Sequence, residues 1–176
     1  YAVEIGAQMP HCSLRVYVMG QRGIDNEPAT PEDIAKMRDL TYESLKAGAL
    51  GFSTSRTDLH NTLQGDPVPG PLAAPDELFG IADALKAYGG GVFQIAATHR
   101  EMEKEFDWML KMAKDTGRMV TFQIQQIDEA PDLYQKMLDH LDEARAEGVT
   151  NIRGQHSGRP VGLLMGWQTS VHPFIG

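Results

Sequence analysis

A single cysteine, Cys12, leaves this 176-residue chain without a partner for an internal disulfide. That fits a reducing compartment and gives the expectation of a cytoplasmic protein. Long hydrophobic runs are missing too: no apolar stretch approaches the roughly 20 residues a membrane-spanning helix needs, and no signal peptide opens the chain. Basic charge is scarce, with 16 Lys and Arg against 24 Asp and Glu and a net charge of -8. The charges are spread along the chain, which argues against a nucleic-acid track or an anionic membrane surface as partner. With 41% hydrophobic and 23% charged residues, the composition is that of one globular domain with a sizeable core, over residues 1–176, rather than a disordered tail. The chain starts at Tyr1 and stops in the loop-like "SVHPFIG", so the expectation is a piece of something longer.

What is present is a repeated helix punctuation. "ATPEDIAKMRDLTYESLKAG" offers Thr30 as N-cap, Pro31 in the first turn and Gly48 as the stop, with Ile34, Met37, Leu40 and Leu45 on its apolar side. "APDELFGIADALKAYGGG" repeats the plan from Pro75 to Gly89, burying Leu78, Ile81, Ala82 and Leu85. In "THREMEKEFDWMLKMAKDTG", Thr98 and Glu101 have capping-box spacing and Met102, Phe106, Met109 and Ala113 form the stripe. The fourth, "APDLYQKMLDHLDEARAEG", starts at Pro131 and buries Leu133, Met137, Leu141 and Ala144.

Each stop glycine is followed by a short β-like run: "ALGFST", "GVFQIA", "MVTFQI" and "TNIRGQ". A fifth strand precedes the first helix, as either "AVEIGA" at 2–7 or "LRVYVM" at 14–19. Strands alternating with helices predict parallel, right-handed βαβ units with the helices outside. Five strands and four helices suit a partial TIM (β/α) barrel, in which each unit takes about 30 residues. They also suit a complete doubly wound α/β domain, the architecture of a non-catalytic small-ligand-binding module. The longest irregular stretch, "STSRTDLHNTLQGDPVPGPLAA", leaves the second strand at the end where parallel α/β proteins build their sites.

Strand alternation sorts the candidate site residues. Phe122 and Ile124 oppose Thr121, Gln123 and Gln125; Phe93 and Ile95 oppose Gln94; Ile152 opposes Arg153 and Gln155. Three successive strands thus carry a glutamine on the face opposite their bulky residues. If the apolar face meets the helices, these amides line a barrel interior, where they either bond one another or hold a ligand. Ser53 and Ser55 oppose Phe52 beside Arg56, a polar strand end where an anion could be held. His60 in the long loop and His156 after Gln155 stand at strand mouths, and Arg159 lies in a glycine-flanked segment able to fold over a site. The six histidines form no HxH, HxxxH or HExxH pattern, so spacing gives no metal site. His99 reads as helix-cap structure and His140 as helix surface.

The order of "PHCSLRVYVMG", "AGALGFSTSRT", "VPG" with "LAAPDEL", and "QHSGRPVGLLMGW" ending in "HPF" resembles the D-aminoacylase-like branch of the amidohydrolase superfamily over nearly the whole chain. The resemblance implies a metal-dependent hydrolase of the (β/α)8 barrel type, cleaving the amide of N-acyl-D-amino acids with water activated by a divalent metal, usually zinc. It implies that this chain is the middle of a protein roughly three times longer, supplying about strands three to seven. The family's HxH, bridging cysteine and catalytic aspartate would then lie outside these residues. It implies a first strand ending in "PH", with His11 at the mouth and "SLRVYVMG" just beyond. Many members carry histidine ligands where this chain has Gln94 to Ala97, and Gln125 with Gln126; glutamine is a weak neutral donor for zinc. The expectation is therefore no metal bound by this chain. Its residues His11, Ser53, Ser55, Arg56, Gln94, Gln125, Gln155, His156 and Arg159 would form a substrate-binding wall for an N-acyl amino acid or related amide. The open edges of a partial barrel give a further expectation of self-association when the piece is expressed alone.

Overall fold

The computed structural model describes residues 2–98, 101–158 and 166–167. The chain runs β1 (Met9–Pro10), α1 (His11–Met19), α2 (Gln21–Ile24), α3 (Pro31–Lys46), β2 (Gly51–Arg56), α4 (Pro75–Tyr88), β3 (Val92–Ala97), α5 (Met102–Thr116), β4 (Met119–Gln123), α6 (Leu133–Ala146) and β5 (Ile152–Gln155). The five strands form one sheet in the order β1-β2-β3-β4-β5, every pair parallel. A doubly wound domain needs a point where the strand order reverses, and its ligand sits there. This sheet has no such reversal among the described residues, so the fold is part of a (β/α) barrel and the doubly wound alternative is corrected.

Local chemistry explains the helix boundaries. In α3, the Thr30 hydroxyl accepts the Asp33 N–H at 3.2 Å while the Asp33 carboxylate accepts the Thr30 N–H at 2.9 Å, a reciprocal cap that satisfies two otherwise orphan donors. Two other starts differ from the sequence reading. α5 begins at Met102 with Glu101 as N-cap, because the Glu101 N–H closes a turn on the Thr98 carbonyl and the Thr98 hydroxyl is bonded to the Arg56 carbonyl instead. α6 begins at Leu133, after a turn in which the Leu133 N–H donates to the Ala130 carbonyl. The reading of His99 as part of a helix cap lies outside the described residues.

The first strand is a larger correction. Residues 14–19 belong to α1, and neither "AVEIGA" nor "LRVYVM" is a strand; the strand is Met9–Pro10, paired with Phe52 and Ser53. Val16, Tyr17 and Val18 favour strands in isolation, but His11, Leu14, Arg15 and Met19 are the buried members of this segment and share one helical side. The two short helices α1 and α2 were not anticipated. The resemblance-based placement, a strand ending at "PH", agrees with the observed position.

The strand faces divide cleanly. Phe52, Phe93 and Val120, and one rung later Ile95 and Phe122, are buried to 1% exposure or less under the helices. Met37 and Leu45 of α3, Leu78, Ile81 and Leu85 of α4, Met109 and Met112 of α5, and Met137 of α6 complete that core. Gly51 permits the sheet at its start: φ is 152°, and a Cβ there would meet the Val92 carbonyl oxygen at 2.0 Å. No helix among the described residues is long and apolar enough to cross a membrane.

Phe122 is fully buried and meets Phe106 edge-on at 5.9 Å. Phe122→Ala is expected to cost about 3–5 kcal/mol in urea denaturation. Leu63→Ser, at a fully exposed loop position, should stay within about 0.5 kcal/mol of the parent.

Candidate functional site

Opposite the helix-facing core, the register builds two polar rungs. One reads Pro10, Ser53, Gln94, Thr121 and Arg153 across β1 to β5. In the other, toward the C-terminal ends of the strands, Ser55 pairs with Ala96, and Gln123 with Gln155. The glutamines of three strands thus share the face away from the helices, as alternation requires. Gln94 Nε2 donates to Gln155 Oε1 at 3.4 Å. The Thr121 hydroxyl, in a residue 8% exposed, has no hydrogen-bond partner among the described residues. Gln125 falls in the irregular segment after β4, where the Ile124 N–H still bonds the Gln155 carbonyl but the strand has ended.

The other expected site residues distribute differently. Ser55 Oγ and His60 Nδ1 are 2.5 Å apart, so the long loop folds back to bring a histidine to the C-terminal end of β2. Its return limb is pinned by an antiparallel bridge between Asn61 and Pro67. Arg56 points to the helix side. Its guanidinium makes a two-pronged pair with Glu105 of α5 at 3.0 and 3.3 Å, donates to the Ala73 carbonyl at 2.7 Å and lies over the Trp108 ring. It is therefore engaged by protein groups and does not converge with Ser53 and Ser55 as an anion holder. His156 Nδ1–H donates to the Ile124 carbonyl at 3.4 Å. It borders a hollow of about 840 Å³ between α6 and β5, lined also by Leu138, Leu141 and Arg153. That hollow is on the flank of the sheet and does not include the glutamine pair. Arg159 lies outside the described residues.

His11, expected at the mouth, is buried in a charged cluster that also holds Arg15 of α1 and Glu77 of α4. All three side chains are 1% exposed. His11 Nε2–H donates to Glu77 Oε1 at 2.7 Å, and its Nδ1 accepts from the Thr54 hydroxyl at 2.8 Å. Arg15 Nε is 3.0 Å from the same carboxylate oxygen but off the hydrogen-bond direction, so that contact is coulombic. Arg15 also donates to the Glu27 carbonyl at 2.5 Å. Asn26, at φ 55°, accepts from the Gly70 N–H at 2.9 Å and donates to the Pro67 and Val68 carbonyls at 3.3 Å. Gly70 in turn packs on His11, where a Cβ would stand 3.0 Å from Nδ1. The sequence offered one sign of this cluster, the i, i+4 spacing of His11 and Arg15. Glu77 reads in sequence only as a first-turn acid.

Among the described residues, no group of three or more His, Cys, Asp or Glu stands close enough to hold a metal ion. The polar rungs offer amide and hydroxyl oxygens, neutral donors unlike the imidazole and thiolate sets zinc favours. The described residues do not fit such a metal.

Burial holds the His11 imidazole below its usual pKa of about 6.5, outweighing the hydrogen bond and charge of Glu77, which pull upward; Arg15 and Arg56 add to the lowering. The unfolded chain thus binds more protons than the folded one between the lowered value and 6.5. Stability rises with pH through that window and is lost as pH falls through it. Urea denaturation from about pH 7 down to about pH 5 should show this loss, and His11→Gln should flatten it. Glu77→Ala, which strands Arg15 in the interior, is expected to cost about 3–5 kcal/mol at neutral pH.

Comparison with known proteins agrees with this architecture. The chain is 34% identical over 104 residues to a D-aminoacylase from Alcaligenes xylosoxydans xylosoxydans, covering 59% of this chain and 18% of that protein. It is 34% identical over 105 residues to an N-acyl-D-aspartate deacylase from the same organism, with the same coverage. A crystal structure of D-aminoacylase superposes with a TM-score of 0.63 at 19% identity, covering 83% of this chain and 28% of that one. A second D-aminoacylase structure, from work on its binuclear metal centre, gives 0.63 at 18%, with the same coverage. The chain therefore spans about a fifth of the length of its curated relatives. The amidohydrolase family model matches residues 2–169. With its sequential parallel sheet and its polar rungs on the face away from the helices, the chain belongs to the amidohydrolase family.

Proposed function

We propose that this chain forms a substrate-holding wall of a hydrolase that cleaves the amide C–N bond of N-acyl amino acids, with the D-series as the preferred class. The observation that carries the reading is the pair of polar rungs, Ser53, Gln94 and Thr121 followed by Ser55, Gln123 and Gln155, neutral apart from Arg153 at the end of the first, on the face away from the helices. An amide substrate offers one carbonyl acceptor and one N–H donor, and glutamine side chains complement both. The 34% identity to a D-aminoacylase supports the choice of substrate class.

The strands make the wall stiff. Gln94 and Gln155 are carried on β3 and β5, whose opposite faces are locked by Phe93 and Ile152 into the core. Side chains on such a scaffold orient a substrate with little loss of freedom at binding. The Ser55–His60 contact places an imidazole at the same end of the sheet, where it can bond a substrate oxygen or nitrogen. A divalent metal, if the parent protein uses one as the resemblance implies, would need donors beyond the described residues.

The full-length protein containing this chain is expected to release free amine from N-acetyl-D-amino acids faster than from their L-enantiomers. Gln155→Ala should lower kcat/KM by about tenfold, the loss of roughly one substrate hydrogen bond. Saturable binding of these compounds without amine release would overturn the hydrolytic reading in favour of a binding role.

A further inference from the structure

Thr121 raises a question that the fold alone does not answer. Its hydroxyl is enclosed, in a residue 8% exposed, yet has no partner among the described residues. A threonine at that position has no need to be polar for packing, and an unpaired buried hydroxyl costs roughly 1–3 kcal/mol in general. Beside it, Gln94 on β3 and Gln155 on β5 meet across β4. Those strands are two interstrand spacings apart, about 9.5 Å, so only long side chains can close the gap. Their single contact, Gln94 Nε2 to Gln155 Oε1 at 3.4 Å, is at the long limit of a hydrogen bond. Among the described residues, the Gln94 carbonyl oxygen and the Gln155 amino group have no other hydrogen bond beside it.

We propose that Gln94, Gln155 and Thr121 form a cradle for a neutral carboxamide group of the substrate, a site that deepens the amide-hydrolase reading and rests on it. The incoming amide separates the two glutamines, accepting from Gln155 Nε2 and donating to Gln94 Oε1. The Thr121 hydroxyl, the register neighbour of Gln94 in the same rung, bonds the same carbonyl. The preference for a neutral group follows from the surroundings. On β2 to β4, the two rungs carry Ser53, Gln94, Thr121, Ser55, Ala96 and Gln123, with no charged side chain. A cation entering there would shed water without a counter-charge, whereas an amide exchanges its hydrogen bonds nearly one for one. Arg153 continues the first rung at the edge strand, so a carboxylate is the competitor that matters.

The test is NMR titration of the full chain with N-acetylglycinamide, with acetate and methylammonium as charged comparators. The side-chain amide resonances of Gln94 and Gln155 and the Thr121 methyl should shift saturably with the neutral probe and not with the ions. Thr121→Val should weaken the neutral probe about tenfold while leaving the melting temperature equal or higher; Thr121→Ser should restore binding. No saturable shift, an equal response to acetate, or unchanged affinity in Thr121→Val overturns the cradle. If the cradle binds the neutral amide but the full-length protein releases no amine, only the hydrolytic reading fails. If amine is released while Thr121→Val leaves KM and probe affinity unchanged, only the cradle fails.

Discussion

The buried carboxylate of Glu77 is the constraint on which the rest of this structure depends. It stands in the first turn of α4 and faces His11 and Arg15 from α1, so one side chain joins two segments far apart in sequence. Arg15 fixes the turn at Asn26 and Glu27; Asn26 fixes residues 67 to 70; Gly70 closes over His11. Thr54 completes the circuit by joining β2 to the His11 ring. A loop with little apolar anchoring is thereby held by polar bonds that begin and end at one interior acid. Such a cluster is specific rather than strongly stabilising, because desolvating the charges offsets much of their attraction.

Orientation at the polar rungs has a different origin. The serines and glutamines face away from the helices because Phe52, Phe93 and Phe122 take the opposite side, and a one-residue slip would exchange the two sets. Hydrophobic burial is thus what aims the polar groups. A structural neighbour, D-aminoacylase, is described with a binuclear metal centre; the described residues here present mainly amides and hydroxyls on the face away from the helices.

Much of this was legible in the sequence. The stripe Leu133, Met137, Leu141 and Ala144 is the buried stripe of α6, and alternation in "VFQIA" and "VTFQIQ" correctly divided core from interior. These features are local, and local periodicity reports them. The β1–α1 region was misread because "LRVYVM" has strand-like residues whose helical burial is decided by contacts with β2 and α4. Glu77, Thr54 and Arg15 were not recognised together for the same reason: their meeting spans 66 residues between His11 and Glu77, and no periodic signal crosses that distance. Arg56 was placed with the serines by adjacency, although a strand sends neighbours to opposite faces.

The sequential strand order gives the molecule a nearly one-dimensional mechanics. Each βα unit leans on the units before and after it in the chain, much as in a stacked repeat protein, so cooperativity passes from neighbour to neighbour. Among the described residues, interior strands such as β3 have a paired strand on both sides, while β1 and β5 have one. Local opening should therefore start at the flanks and work inward, leaving the Gln94 strand as the last part of the sheet to lose its alignment.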